Sequence, residues 1–140
     1  MGTSKASATW EGTLKAGRGT MQPGSAAAIP FSFKTRFEGE TGSNPEEMIG
    51  AALSGCFSMA LSLGLEKAGH PPQRIETRAE VTLDLKGTPT ITTITLHCQA
   101  SVPGIDAAKF QEIAEETKKA CPVSRALGGV DIQLQAKLAG

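Results

Sequence analysis

The longest coherent pattern in the chain runs from Asn44 to Gly69, with no charged side chain between Met48 and Leu65. Its ends read as helix ends. Asn44 is a capping residue, Pro45 suits the first helical position, and Glu47 stands three residues after the cap, where it can bond back. Glu46 and Glu47 lie at the positive end of the helix dipole, and Gly69 is a good terminating residue. At about 1.5 Å per residue this helix is on the order of 35 Å long. A helix apolar on every side must be enclosed by protein or lipid. Roughly eighteen uncharged residues reach the lower limit of a bilayer span. Against a span, Ser54, Ser58 and Ser62 recur at every fourth position, and Gly50, Gly55 and Gly64 dilute the hydrophobicity. The expectation is a buried central helix with a thiol, Cys56, in its middle.

Upstream, Trp10 to Leu14 and Gly19 to Met21 read as short strands around the turn Ala16-Gly17-Arg18-Gly19, followed by a small, polar loop from Gln22 to Ala28. Phe31, Phe33, Thr35 and Phe37 alternate with Ser32, Lys34 and Arg36, the period of a half-buried strand. Downstream of Gly69-His70-Pro71-Pro72, Ala79, Val81, Leu83 and Leu85 share one strand face. Past the Gly87-Thr88-Pro89 turn, Ile94, Leu96, Cys98, Ala100 and Val102 share another. Asp106 caps a second helix whose Phe110, Ile113, Ala114, Thr117 and Cys121 keep helical spacing beneath a charged outer face. Cys121-Pro122 breaks it, a short helical turn covers Val123 to Leu127, and Val130, Ile132, Leu134, Ala136 and Leu138 alternate in a last strand. This order predicts an α+β fold with antiparallel sheet packed on the helices. The expected organisation is one domain, 1–140: N-terminal strands and loop 1–43, central helix 44–69, then strands, second helix and last strand over 75–140.

Composition narrows the function. Fourteen basic and fourteen acidic side chains cancel, and there is no tyrosine, so nothing favours nucleic acid or an anionic membrane surface. Met1 to Trp10 lacks the apolar core of a signal peptide, which points to a cytoplasmic protein. Three widely spaced cysteines are not a disulfide scaffold, and in a reducing compartment each is an inert core residue or a reactive thiol. Cys98 is in phase with its strand's apolar face, as a small buried hydrophobe would be. Cys56 has Ala52 and Ala60 one turn to either side, leaving space over the sulfur. Cys121, with Pro122 at a first helical position, stands at an N-cap, where a thiol's pKa is lowered. Cys56 and Cys121 could form a reactive and a resolving pair. Zinc fits poorly because neither has a second ligand at short spacing. His70 and His97 read as a loop residue and an exposed strand residue.

Thr35-Arg36-Phe37-Glu38-Gly39-Glu40, Gly42-Ser43-Asn44-Pro45-Glu46-Glu47, Ala51 to Ser62 around Cys56, Pro103-Gly104-Ile105-Asp106 and Cys121-Pro122-Val123-Ser124 resemble the osmotically inducible protein C / organic hydroperoxide resistance (OsmC/Ohr) family. Arg36 to Glu40 is similar to the OsmC branch, and the resemblance spans nearly the whole chain. It implies a homodimer of intertwined subunits and a thiol peroxidase that reduces organic hydroperoxides in defence against oxidative or osmotic stress, with no cofactor and no metal. On that resemblance Cys56 matches the peroxidatic cysteine, Cys121 the resolving cysteine and Glu46 the glutamate after Asn-Pro. Arg36 matches the OsmC-branch arginine, while Arg18 falls near the place where the Ohr branch keeps its own, so the arginine stays open between them. The reductant implied is an external dithiol, lipoyl-type or other.

The chemistry asks for these residue types. Attack on an O–O bond needs a thiolate, burial pushes the Cys56 thiol up, and an arginine that cannot lose its charge opposes that shift. A carboxylate such as Glu46 can hold the guanidinium bidentately. Glu46 and Cys56 stand ten residues apart, about 15 Å along one helix, so Glu46 acts through Arg36 or from another chain. Two antiparallel helices in a dimer would bring each Glu46 toward the other Cys56, with Ala52-Cys56-Ala60 and Ser54-Ser58-Ser62 permitting close approach. Met48, Leu53, Phe57 and Met59 are expected to line an apolar pocket suited to bulky hydroperoxides. Two rival functions stand beside this one. A non-catalytic binder of apolar ligands would need neither Cys56 nor Cys121. A cysteine hydrolase would keep its activity in a Cys121→Ser variant and would need a histidine near Cys56.

Overall fold

The computed structural model describes residues 2–139, so the outermost residues of the expected 1–140 domain lie outside the described residues. The chain is α+β and divides into two compact units, Met1–Met48 and Ile49–Gly140.

In the first unit, strands β1 (Ala6–Glu11), β2 (Arg18–Pro23) and β3 (Ile29–Phe31) form an antiparallel sheet in that order. The first strand starts and ends earlier than the apolar pattern suggests, and the second runs on into the expected loop. Gly19 is required where β2 pairs with β1: a Cβ there would lie 2.6 Å from the Thr9 carbonyl oxygen and 2.7 Å from the Trp10 ring. The Trp10 and Phe31 rings then meet at 5.4 Å.

The alternating stretch Phe33–Phe37 is not a strand but a short helix, α1. Ser32 caps it reciprocally: the Thr35 amide donates to the Ser32 hydroxyl, and the Ser32 amide donates to the Thr35 hydroxyl. Those bonds satisfy amides that a strand would have left to a neighbour. A period of two also contains every i, i+4 pair, and Phe33 and Phe37 use that one, with ring centroids 5.1 Å apart. Arg36 therefore projects from a helix.

Helix α2 (Pro45–Lys67) begins as expected, with the Glu47 amide donating to Asn44 Oδ1 at 2.8 Å. The Glu47 carboxylate does not bond back to the cap; it accepts from the Ser43 hydroxyl. At the other end Gly69, at φ 85°, lets the His70 amide return to the Leu65 carbonyl.

The second unit holds the core. Leu53, Phe57, Leu61 and Leu65 of α2 are fully buried, together with Ile94, Leu96 and Ala100 of β5 (Thr90–Ser101) and Phe110 and Ala114 of α3 (Ala107–Ala120). By length and composition α2 could cross a bilayer. Its buried stripe instead packs with a sheet strand and a second helix in one core. Burial is confined to that stripe: Ala51, Ala52, Gly55, Met59 and Leu63 are exposed, Met59 at 79 %. The helix is thus enclosed on one side by its own chain, not on all sides.

Strand β4 (Arg74–Asp84) pairs antiparallel with β5 as expected, but a register shift between Thr82 and Leu83 breaks its alternation and leaves Leu85 exposed. Strand β6 (Asp131–Leu138) pairs with β5 in parallel, where an antiparallel neighbour was expected. The reason is the connection: α3 and α4 (Pro122–Ala126) carry the chain back along the sheet before β6 begins, so it runs in the same direction as β5. Gly64 lets α2 approach α3, since a Cβ there would lie 3.0 Å from Ile113 Cγ2.

Candidate functional site

Two pairs of the residues singled out from the sequence come together, one in each unit. In the second unit, α2 carries Cys56 and the α3–α4 junction carries Cys121, and their sulfurs lie 2.7 Å apart. Neither is in a disulfide, and Cys98 is free as well. The break at Cys121-Pro122 explains the position of Cys121. It ends α3, donating its amide to the Thr117 carbonyl, and serves as the N-cap of α4 with Pro122 at the first helical position. Its side chain makes no capping bond, which leaves the sulfur free to face α2.

The two sulfurs sit in different surroundings. Burial pushes the Cys56 thiol up, and the Cys121 sulfur pushes it further, against a partial counter-pull from the Val123 amide. Burial pushes Cys121 up too, but the Cys56 sulfur and the polar N–H and O–H groups of Ser124 and Val123 near it outweigh that effect. The net direction for Cys121 is down. Cys121 Sγ donates to Cys56 Sγ across 2.7 Å, while the surroundings disfavour charge on Cys56 and favour it on Cys121. The lowered Cys121 was expected from its place at an N-cap; the pull comes from Cys56 and from Ser124 and Val123 in the first turn of that helix.

In the first unit, Arg36 of α1 grips Glu46, in the first turn of α2. Its Nε donates to both carboxylate oxygens at 3.1 and 3.2 Å, and its Nη2 donates to Oε1 at 2.5 Å. Glu46 is 7 % exposed, so a carboxylate in the first turn of the helix is both buried and paired. The guanidinium also lies over the Phe37 ring at 5.2 Å. Arg36 borders an apolar hollow of about 300 Å³ lined by Trp10, Leu14, Phe31, Phe33 and Phe37. Arg18, the other candidate, pairs in register with Glu11 on the neighbouring strand and lines a separate cleft. Of the two arginines, Arg36 is the one that holds Glu46.

Other expectations fail. Leu53 and Phe57 are fully buried in the core and Met59 faces outward, so these residues line no common pocket. The serine stripe is not an open surface either: Ser58 is hydrogen-bonded to Thr77 of β4 at 2.8 Å. The exposed small residues are Ala51, Ala52 and Gly55. Cys98, 2 % exposed, is the core residue that its strand phase indicates. His97 is bonded to Glu80, and neither histidine is among the hydrogen-bond partners of Cys56. Among the described residues no cluster of three metal-ligating side chains occurs. Sequence reasoning gave no role to Val123 and Ser124, although both belong to the motif around Cys121; the signal was the position of Ser124 three residues after an N-cap.

The chain is also similar to known proteins. The chain is 48 % identical over 138 residues to Peroxiredoxin OsmC of Escherichia coli (strain K12), covering 94 % of this chain and 96 % of that protein. It is 29 % identical over 101 residues to an organic hydroperoxide resistance protein of Xanthomonas axonopodis pv. citri, covering 69 % and 68 %. Among solved structures, the organic hydroperoxide resistance protein OhrB of Bacillus subtilis superposes with a TM-score of 0.73 at 28 % identity, covering 95 % of this chain and 98 % of that one. An OsmC-like protein of Vibrio cholerae shares the fold with a TM-score of 0.79 at 16 % identity, covering 98 % and 100 %. Residues 38–135 match the family described as OsmC-like protein. The OsmC/Ohr fold is what these likenesses have in common, and this chain belongs to the OsmC family.

Proposed function

We propose that this chain is a cysteine-based peroxidase that reduces organic hydroperoxides to alcohols through a Cys56 sulfenic acid and a Cys56–Cys121 disulfide. The observation that carries the reading is the pair of free sulfurs 2.7 Å apart, a separation that needs only a small inward shift to become a bond. In the first step Cys56 sulfur attacks the distal peroxide oxygen, the O–O bond breaks, and the departing alkoxide takes up the proton as alcohol. In the second, the Cys121 thiolate attacks the sulfenic sulfur, the S–O bond breaks, and hydroxide leaves to become water. An external dithiol, lipoyl-type or other, then reduces the disulfide by two exchange steps.

Cys56 is held up by burial, so the first step needs a cation beside it. Arg36, oriented by Glu46, is our candidate, and its aromatic hollow suits the organic group of a hydroperoxide. We assign the working unit to a homodimer with shared sites. The exposed apolar face of α2, with Met59 and Leu63, supports that reading, because such a face on a soluble chain calls for a cover. Ten residues of helix separate Glu46 from Cys56 of the same chain, which favours Arg36 and Glu46 of one chain serving Cys56 of another. We place the protein in the cytoplasm, as its free thiols suit a reducing compartment.

The test is intact-mass analysis after one equivalent of cumene hydroperoxide. The wild type loses two hydrogens and yields a Cys56–Cys121 cross-linked peptide, whereas Cys121→Ser retains a sulfenic or over-oxidised Cys56. An unchanged wild-type mass refutes the peroxidase. Ester hydrolysis that survives in Cys121→Ser, with no disulfide formed in the wild type, would instead favour a hydrolase.

A further inference from the structure

Among the described residues, Ser124 Oγ is the one buried side-chain polar atom without a hydrogen-bond partner. The residue is 7 % exposed, so water does not serve it. A buried hydroxyl left unsatisfied is costly, and such exceptions in a native structure call for a cause. Ser124 occupies the third position of α4, and Cys121 is that helix's N-cap. In a serine-capped helix the two side chains of these positions would each bond to the other's backbone. Here the cap is a sulfur turned toward Cys56, which as a neutral thiol is a weak acceptor, and the Ser124 hydroxyl three residues on has no capping partner.

We propose that Ser124 is a positioning residue for the thiol pair: its stranded hydroxyl donates to Cys121 Sγ when that sulfur is ionised, and so readies Cys121 to attack the oxidised Cys56. The inference rests on the peroxidase reading above. Thiolate accepts a hydrogen bond strongly where thiol does not, so the hydroxyl gains its partner only in the charged form. The polar groups of Ser124 favour charge on Cys121, which agrees with this direction. The step it assists is the second one. A lone pair of Cys121 forms the S–S bond, the Cys56 S–O bond breaks with its electrons leaving on hydroxide, Cys121 is oxidised and Cys56 is reduced. Other charged groups on the adjoining elements are Lys118 and Lys119 at the end of α3 and Arg125 on α4; the titratable group opposite, on α2, is Cys56. The three basic groups are common to all the variants compared, and Cys56 is replaced by serine throughout the titration.

Two measurements test the role. The first is the ultraviolet titration of the Cys121 thiolate in a Cys56→Ser background, with Ser124, Ser124→Ala and Ser124→Thr. Loss of the hydroxyl raises the midpoint by about one unit, a tenfold smaller thiolate population below it, and threonine restores it. The second is the rate at which the sulfenic acid becomes disulfide in the full wild-type chain and in Ser124→Ala. Because a more basic thiolate is also a better nucleophile, the net slowing is about threefold. A merely structural serine moves neither reading, and its removal leaves thermal stability equal or higher. An unshifted midpoint overturns the hydroxyl's role whatever the enzyme does. A wild type that loses two hydrogens alongside a Ser124→Ala chain that does so at the same rate overturns this inference alone. A wild type that keeps its mass overturns the peroxidase as well.

Discussion

The pair most open to a quantitative test is Arg36–Glu46. Replacing Glu46 with glutamine keeps its shape and removes its charge; replacing Arg36 with methionine keeps its stem. Two unit charges about 4 Å apart attract by about 4 kcal/mol at an effective dielectric of about 20. Against that stand the desolvation of Glu46, whose side chain is 10 % exposed, and the solvent screening of Arg36, whose side chain is 35 % exposed. What remains is a coupling of about 1–2 kcal/mol, carried by three N–H donations to one carboxylate. Urea denaturation of the wild type, both single variants and the double variant gives that coupling as the departure from additivity. The same four proteins, assayed with cumene hydroperoxide, should show each single variant losing at least about tenfold in kcat/KM, with the double no worse than Arg36→Met alone. A coupling below about 0.5 kcal/mol would mean that the contact is an incidental surface pair. Full activity in Glu46→Gln would remove it from the proposed chemistry.

Three further outcomes follow from other parts of the molecule. Ser32→Ala removes the reciprocal cap of α1 and should cost about 1 kcal/mol in urea melts while lowering peroxidase activity through a looser Arg36; an unchanged activity would separate α1 from the site. Nothing lies within 4 Å of a Cβ built on Gly55, so alanine there should raise the stability of a lone chain. If helix α2 packs on its counterpart through that face, the same change should raise the dimer dissociation constant by at least about tenfold, read by sedimentation equilibrium; an unaltered constant would move the interface elsewhere. Burial pushes the Cys98 thiol above its ordinary 9.0, with a partial pull back from the Thr77 hydroxyl. The folded state then prefers the neutral thiol, so this contribution is present below pH 9.0 and fades as pH climbs through the folded value. Cys56 adds to that alkaline slope and Cys121 opposes it. Urea melts of Cys98→Ala between about pH 8 and about pH 10 should show a shallower loss than the wild type; an identical slope would contradict the burial argument.

The amino-acid order alone determined what local rules govern. Asn44-Pro45 opened α2, Gly69 closed it, Asp106 capped α3, and the alternation of Ile94, Leu96, Cys98 and Ala100 buried one face of β5. The candidate residues were legible as well, because a lone mid-helix thiol, a Cys-Pro cap and an acidic first turn are each chemistry with a sequence signature. Where two local readings competed, the sequence could mislead. Phe33 to Phe37 satisfies a strand's alternation and a helix's i, i+4 pair alike, and the Ser32–Thr35 cap, a short-range hydrogen-bond pattern, settled it as helix.

What only the tertiary structure decided depends on long-range approach. The parallel pairing of β6 comes from the path of two helices, and the outward face of α2 from which stripe its own core claims. No spacing rule brings residues sixty-five positions apart to 2.7 Å, selects Arg36 over Arg18 as the partner of Glu46, or buries one serine hydroxyl without a partner. Those facts are products of packing, in which each side chain's neighbours come from distant parts of the chain, and packing is where a thiol acquires the surroundings that set its charge.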